Sequence, residues 1–317
     1  MAKSKLQYWS YLIHLSENMW GQPSIRLPED TDPPVKLNTD DGTWRKVVDF
    51  LPTQGFNTVV IDVGDGIEYE THPEISVSGA WSKDKLKTEL EHIRSLGMKP
   101  IPKLNFSTGH DGWLGKYAQM ISTPEYYQVC KDLILEVAEL FDTPELFHLG
   151  MDEETAANQK NYRLVRVRGG DLFWHDLNYM FGVCEKAGSR PWIWADHCCR
   201  DPKDFLAHMS KCAVQSNWFY GYFKKNPDGS YNEKDVEVYR TLEKAGYDQI
   251  PTCSTIFGNW KCAQDIMQLG KDDISPEHLL GYISTPWFMT TPSDLYALLN
   301  EAQRFGDAKR KIYPETV

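Results

Sequence analysis

The sequence predicts an α/β chain closed into a barrel of eight parallel strands, and three observations carry that prediction. The first is a recurring unit: an amphipathic helical stretch, a glycine, then a short apolar run that ends in polar residues. It is plain in "FLPTQGFNTVVIDV", "IRSLGMKPIPKLNF", "CEKAGSRPWIWADH" and "LEKAGYDQIPTCST", where Gly55, Gly97, Gly188 and Gly246 stand where a helix end needs a left-handed residue. The second is the count of apolar runs, eight in all: "YWSYLIHL", "NTVVIDV", "KPIPKLNF", "ELFHLGM", "RPWIWAD", "CAVQSNW", "QIPTCSTIF" and "LLGYISTPW". The third is their texture, continuous rather than alternating, as expected of strands covered on both faces. An open doubly wound sheet is the rival, but no glycine-rich dinucleotide loop follows the first run. The expectation is a (β/α)8 TIM-type barrel, in a single domain over 1–317 because no Pro/Gly/Ser linker divides the chain.

The helices between the runs carry their own signals. Ser82 precedes "KDKLKTELEHIRSLG", in which Leu86, Leu90, Ile93 and Gly97 fall on one face. Thr123 and Pro124 open "EYYQVCKDLILEVAELF" with a cap residue and a proline at the first helical position. "DLFWHDLNYMFGVCEKAG" and "SDLYALLNEAQRFG" supply further helices, and "NPDGSYNEKD" reads as a turn-rich loop before one. The cations of the closing "DAKRKIYPETV" suit the last turn of a helix.

Composition narrows the function. Hydrophobic residues make up 41% of 317, enough for a large core. Aromatic residues reach 13%, with 11 tryptophans, which suits a site that grips flat apolar faces such as sugar rings. The net charge of −11, with both signs interspersed, argues against a nucleic-acid partner. Seven cysteines, an odd number without a C-x-x-C pair, exclude a full disulfide framework and point to a reducing, cytoplasmic compartment. No stretch approaches a membrane span, and the amino-terminal "MAKSKLQYWSYLIHL" lacks the apolar core of a signal peptide. Homo-oligomerisation is left open.

Barrel chemistry gathers at the carboxyl ends of strands, so the polar residues after each run are the candidates. They include His14 and Glu17, Asp62 and Asp65, Asn105 and His110, His148 with Asp152 and Glu153, Asp196 and His197, Asn217 with Trp218 and Tyr220, and Trp287. The densest is "FHLGMDEE", 147–154. Two neighbouring carboxylates in a cleft do not both ionise cheaply, so the less solvated one should keep its proton and serve as an acid. Gly150 allows close backbone approach, and His148 is placed to fix a neighbouring acid. "DEETAANQK" alone would also suit a helix amino terminus, whose dipole favours acids. Its position at a strand end favours catalysis.

That stretch resembles the H-x-G-x-D-E signature at the fourth barrel strand of the β-N-acetylhexosaminidases of glycoside hydrolase family 20. The resemblance implies substrate-assisted hydrolysis of a terminal 2-acetamido-2-deoxy-β-hexoside (GlcNAc or GalNAc), with retention and without metal or cofactor. It assigns Asp152 to orienting the acetamido group and Glu153 to protonating the leaving oxygen. Further matches follow in order along the chain. "PKLNFSTGH" is similar to the third-strand pattern, with Gly109 and His110 in place but Lys103 and Asn105 where the family has acids. "WIWAD" matches at Trp194 and Asp196. "SNWFYGY" offers Trp218, with the pocket tyrosine displaced so that Tyr220 is the candidate for the acetamido contact and Tyr222 the reserve. "STPWFMT" supplies Trp287, but Met289 stands where the family has a sugar-binding glutamate. Trp194, Trp218 and Trp287 are the expected walls of the sugar site, with His110, His148 and Asp196 as polar contacts.

Two rivals stay open at this level. One is a glycosidase of other specificity, with Glu153 paired to Asp196 as a protein nucleophile. The other is a carbohydrate-binding barrel without turnover, suggested by Lys103, Asn105, Phe219 and Met289. "ADHCC" is a weak metal candidate, since adjacent residues rarely reach one tetrahedral ion. "GDGIEYETHPE" reads as a solvated loop before it reads as a rim over the cleft. Glu154 is expected to be a surface acid or a support for its neighbours.

Overall fold

A computed structural model describes residues 6–18, 36–162 and 164–316; parts of the amino-terminal reading, at 1–5, fall outside them. Each of the eight apolar runs contains a strand: β1 Tyr8–His14, β2 Thr58–Asp62, β3 Lys99–Lys103, β4 Leu146–His148, β5 Arg190–Trp194, β6 Val214–Ser216, β7 Thr252–Cys253 and β8 Gly281–Ser284. Neighbours pair in parallel in the order β6-β5-β4-β3-β2-β1-β8-β7. Three backbone hydrogen bonds close the remaining seam between β6 and β7: Gln215 N–H to Asp248 O, Ile250 N–H to Gln215 O and Thr252 N–H to Asn217 O, each at 3.0 Å. The (β/α)8 barrel expectation holds.

Helices α1 (Asp41–Phe50), α2 (Lys83–Ser95), α3 (Pro124–Leu140), α4 (Asp171–Lys186), α5 (Asp196–Arg200), α6 (Pro202–His208), α7 (Lys234–Lys244), α8 (Cys262–Asp273) and α9 (Leu295–Ile312) lie between and after the strands. Their ends follow the sequence signals. Ser82 and Thr123 accept the amides of Lys85 and Tyr126, each at 3.2 Å. Gly55, Gly97, Gly188 and Gly246 all have φ between 75° and 83°. Gly55 ends a 3-10 turn, Leu51–Gln54, that prolongs α1.

The barrel interior is apolar toward its amino-terminal end, where Tyr8, Leu12, Val60, Ile101, Leu146, Trp192, Val214, Ile250 and Ile283 cluster. A charged layer sits above it. Asp62, Lys103 and His148 are register partners on β2, β3 and β4. The Lys103 ammonium, fully buried, ion-pairs with Asp62, whose other neighbour is His14 at 3.3 Å. Burial works against the Asp62 anion, but Lys103 and His14 outweigh it and hold the carboxyl below the usual range. Lys103 therefore neutralises the barrel floor, and its departure from the acid of the resembled pattern serves the core.

Candidate active site

Strand β4 is only three residues long, and its inter-strand bonds run on through Leu149 to Gly150, where the chain turns left-handed. Gly150 has φ 72°, Met151 75° and Glu153 53°. A Cβ on Gly150 would lie 1.9 Å from Asn105 Oδ1, so no other residue fits there. Non-glycine residues held at positive φ cost about 1–3 kcal/mol each and persist only where surrounding contacts enforce them. No helix starts at the acid run: residues 152–154 are irregular and 155–161 form turns. The helix-dipole explanation of "DEE" thus fails, and the backbone instead splays consecutive acids to different partners.

Asp152 is the most constrained. Asn105 Nδ2 donates to its Oδ1 at 2.8 Å, while Asn105 Oδ1 accepts the amides of Ser107 at 3.1 Å and Met151 at 3.3 Å. The Ser107 hydroxyl donates to the Asp152 carbonyl. His110 Nε2 lies 3.3 Å from Asp152 Oδ2 and 3.2 Å from Glu153 Oε2, and a ring nitrogen facing two carboxylates carries the proton. Behind the pair, Asp196 accepts the Glu153 amide at 3.1 Å on one oxygen and the Trp218 indole N–H at 2.9 Å on the other.

The electrostatics redistribute the roles expected of the acids. Burial, reinforced by the charge of Asp152, pushes Asp196 up to about 7. The hydrogen bond from His110 holds Glu153 below the usual carboxylate range against its partial burial. The raised carboxyl thus lies behind the Asp152–Glu153 pair, because His110 serves Glu153 while Asp196 is enclosed. Since Asp152 is the main charge acting on it, Asp152→Asn should move the Asp196 titration midpoint downward. Carbon-13 NMR of labelled aspartate carboxyls reads this, and an unmoved midpoint would show that burial alone sets it.

Seven of the nine sequence-nominated residues line one cavity of about 240 Å³: His110, Asp152 and Glu153 as its polar wall, Trp194, Trp218, Tyr220 and Trp287 as its aromatic walls. That volume falls below the roughly 300–1,000 Å³ of drug-sized pockets, which suits one small ring. Trp218 and Tyr220 stack at 5.4 Å, and Trp194 meets Trp287 at 6.0 Å. The Tyr220 hydroxyl accepts the Trp287 indole N–H at 3.0 Å and lies 3.3 Å from Thr285 Oγ1. Burial raises the phenol well above its ordinary value, so the O–H stays intact and can donate. Tyr222, the reserve, is 68% exposed and not among the cavity walls.

The other two nominees lie elsewhere. Asp196 lines a neighbouring polar cavity of about 440 Å³ that shares Glu153 and Trp218 with the first. His148 is buried below the site against Trp192 and Trp194, with ring centroids 4.8 and 4.3 Å away, and its Nδ1 accepts the Gly150 amide at 3.0 Å. Burial and then Lys103 hold it well below its ordinary value, so it is neutral. Fixing an acid, the role expected of His148, belongs to His110. Of the two places expected of Glu154 the structure gives the second: it is not at the surface but buried and clamped by Arg168 through bonds of 3.0 and 2.8 Å. The side chains of "ADHCC" diverge, His197 to Asp204 at 2.8 Å and the Cys199 thiol to Asp235. Among the described residues no group of three His, Cys, Asp or Glu is arranged to hold a metal.

Sequence reasoning missed Asn105 as a positioning residue, Ile256 and Phe257 as cavity walls, and Arg168 as the clamp of Glu154. Asn105 stands in the sequence among the strand-end polar candidates and as a departure from the family's acid, with no positioning role marked. Nothing local marked Arg168, which lies 14 residues beyond its partner.

No family model matches the chain, and no curated protein matches it in sequence. Solved structures do resemble it. The chitobiase of Flavobacterium johnsoniae superposes with a TM-score of 0.63 at 15% identity, over 88% of this chain and 49% of that one. The N-acetyl-β-hexosaminidase of Streptomyces plicatus, solved with Thio-NAglucal, gives 0.64 at 12% identity, over 96% and 64%. Dispersin B gives 0.60 at 15% identity, over 85% and 94%. The chain shares their barrel fold. It spans about half the length of the Flavobacterium johnsoniae chitobiase.

Proposed function

We propose that this barrel is a glycoside hydrolase that removes a terminal 2-acetamido-2-deoxy-β-hexose, GlcNAc or GalNAc, by a substrate-assisted, retaining mechanism. The observation that carries the reading is the His110-bridged pair Asp152 and Glu153 at the wall of a cavity sized for one ring and lined by three tryptophans and a tyrosine. The acetamido oxygen attacks the anomeric carbon as the bond to the leaving oxygen breaks, and Glu153 donates its proton to that oxygen. Asp152, oriented by Asn105, accepts the acetamido N–H and balances the positive charge of the cyclic intermediate. Tyr220 donates to the acetamido oxygen, and the indoles enclose the methyl group. Glu153 then takes a proton from water as the water oxygen bonds to the anomeric carbon and opens the ring.

Glu153 must be protonated at the first step. A sugar ring against the aromatic walls displaces water from Glu153 and raises its carboxyl, while His110 retains Asp152 as its partner. Asp196 is poorly suited to act as a protein nucleophile, since both its oxygens accept N–H groups, burial and the charge of Asp152 disfavour its anion, and it lines the neighbouring cavity. A non-catalytic reading loses part of its motive once Lys103 is accounted for by the barrel floor.

A panel of chromogenic β-hexosides, 2-acetamido against 2-hydroxy, tests the proposal with wild type and Asp152→Asn. Only acetamido sugars should turn over, and the variant should lose about 10²-fold or more on them. Equal turnover of 2-hydroxy sugars would replace assistance with another mechanism, and sugar binding with no turnover would make the barrel a binding module.

A further inference from the structure

His110 sits on the loop after β3, and the residues on both sides of it are bonded to the loop between β4 and α4. Arg168 Nη2 donates to Phe106 O at 2.6 Å, the Thr108 amide to Glu154 Oε2 at 3.1 Å, Thr108 Oγ1 to Arg166 O at 2.6 Å, and the Tyr162 hydroxyl to Gly109 O at 2.8 Å. The tightest tie is on Asp111, the next residue after His110. Arg166 Nη1 and Nη2 each donate to one Asp111 oxygen at 2.7 Å, a bidentate fork between two buried side chains. Gln159 braces it from behind, accepting the Arg166 amide at 2.8 Å and donating to the Arg166 carbonyl at 2.7 Å.

The segment that carries the fork reverses the usual order of a surface segment. Arg166 and Arg168 are buried, while Val165 and Val167, which alternate with them, are 46% and 44% exposed. Stability gives little reason for this arrangement, because apolar side chains of the same volume often match or better a buried ion pair. What a fork supplies is direction: two parallel bonds fix the plane of the Asp111 carboxylate and with it the turn that carries His110.

We propose that Arg166 is a positioning residue for the reaction: by gripping Asp111 it holds the His110 imidazole between Asp152 and Glu153. This rests on the glycosidase reading and deepens it with a residue that is not among the walls of the sugar cavity. The effect passes through one contact. His110 Nε2 lies 3.2 Å from Glu153 Oε2, and that hydrogen bond is the main cause holding the Glu153 carboxyl low. Without the fork the turn relaxes, Glu153 loses the bond, and its carboxyl titrates higher.

The test uses two variants. Asp111→Leu/Arg166→Met removes the fork and strands neither charge, and Arg166→Lys keeps a cation beside Asp111 but not the fork. Two quantities are read: kcat and KM on a 2-acetamido β-hexoside, and the Glu153 midpoint by carbon-13 NMR of labelled glutamate carboxyls, assigned with Glu153→Gln. The double variant should melt close to wild type, lose about 10- to 100-fold in kcat with KM little changed, and show a raised Glu153 midpoint. Arg166→Lys should move kcat and the midpoint the same way by less. An unmoved midpoint in the double variant would overturn the proposal whether or not kcat falls, since His110 would then hold its place without the fork. If the double variant does not fold, the midpoint in Arg166→Lys decides by the same criterion. If wild type hydrolyses no hexoside, the glycosidase reading fails separately, and the midpoint still shows whether the fork holds His110.

Discussion

Glu153→Gln is expected to lower kcat on a 2-acetamido substrate by about 10²–10⁴-fold, the range that general acid–base catalysis supplies. Glutamine keeps the shape and the Asp196-anchored backbone but cannot deliver a proton. The side chain is 40% exposed and its ion pair is with His110, so thermal stability should change by no more than a partly exposed pair supplies. The loss should shrink for nitrophenyl leaving groups, which depart without much protonation, and be largest for methyl or sugar leaving groups. The sign of the pH dependence follows as well. A general acid works when protonated, so the wild-type rate falls as pH rises through the Glu153 pKa. His110 holds that carboxyl low in the free protein, so the fall in kcat/KM should begin at lower pH than the fall in kcat, which reports the occupied site. Glu153→Gln should lose this limb, and a full alkaline limb in the variant would move the acid role to another residue.

Arg168→Met is expected to cost about 3–5 kcal/mol of stability, the range for removing one member of a buried ion pair. The guanidinium is wholly buried and is pushed further toward its charged form by Glu154 and Asp176, against the cost of burial. It donates to both Glu154 oxygens at 3.0 and 2.8 Å and to Phe106 O at 2.6 Å, and Glu154 also accepts the Arg168 amide at 2.9 Å and the Thr108 amide at 3.1 Å. Truncation would strand Glu154 without a cation directly beside Glu153, so kcat should fall together with the denaturation midpoint. In Glu154→Gln/Arg168→Met part of the stability should return, because Glu154 is no longer a stranded charge, while buried Asp176 keeps the Ser122 and Tyr127 hydroxyls but lacks its cation. If the single variant melts as wild type does, the clamp is not what holds the catalytic loop.

Some of this was legible along the chain because the forces involved are local. Each helix–glycine–apolar unit is set by neighbours a few residues apart: a cap residue three positions from the amide it accepts, a glycine at a left-handed helix end, an apolar run long enough for one strand. Four such units, with four further apolar runs, leave few ways to cover both faces of a parallel sheet other than closing it. Site residues were legible for a related reason. In a barrel the carboxyl end of every strand faces the same mouth, so listing polar residues after each run amounts to listing neighbours, and seven of nine nominees do share a cavity.

The tertiary structure decided what depends on distances between loops remote in sequence. The site's keystone is His110 rather than His148 because the turn after β4 directs the Gly150 amide into His148 and sinks that ring among tryptophans. Asp196 rather than Glu153 holds the raised carboxyl, because enclosure and the field of Asp152 act through space. Lys103 reads as a departure from the family's acid until its register against Asp62 reveals an ion pair in the buried charged layer of the barrel. By itself the sequence determined the barrel, the mouth and the residues available there, since hydrophobic period and capping act over one turn or one strand. Packing alone decided which of those residues touch, which keep their protons and which merely support the rest, since desolvation and Coulomb interactions depend on neighbours that the order of the chain does not name.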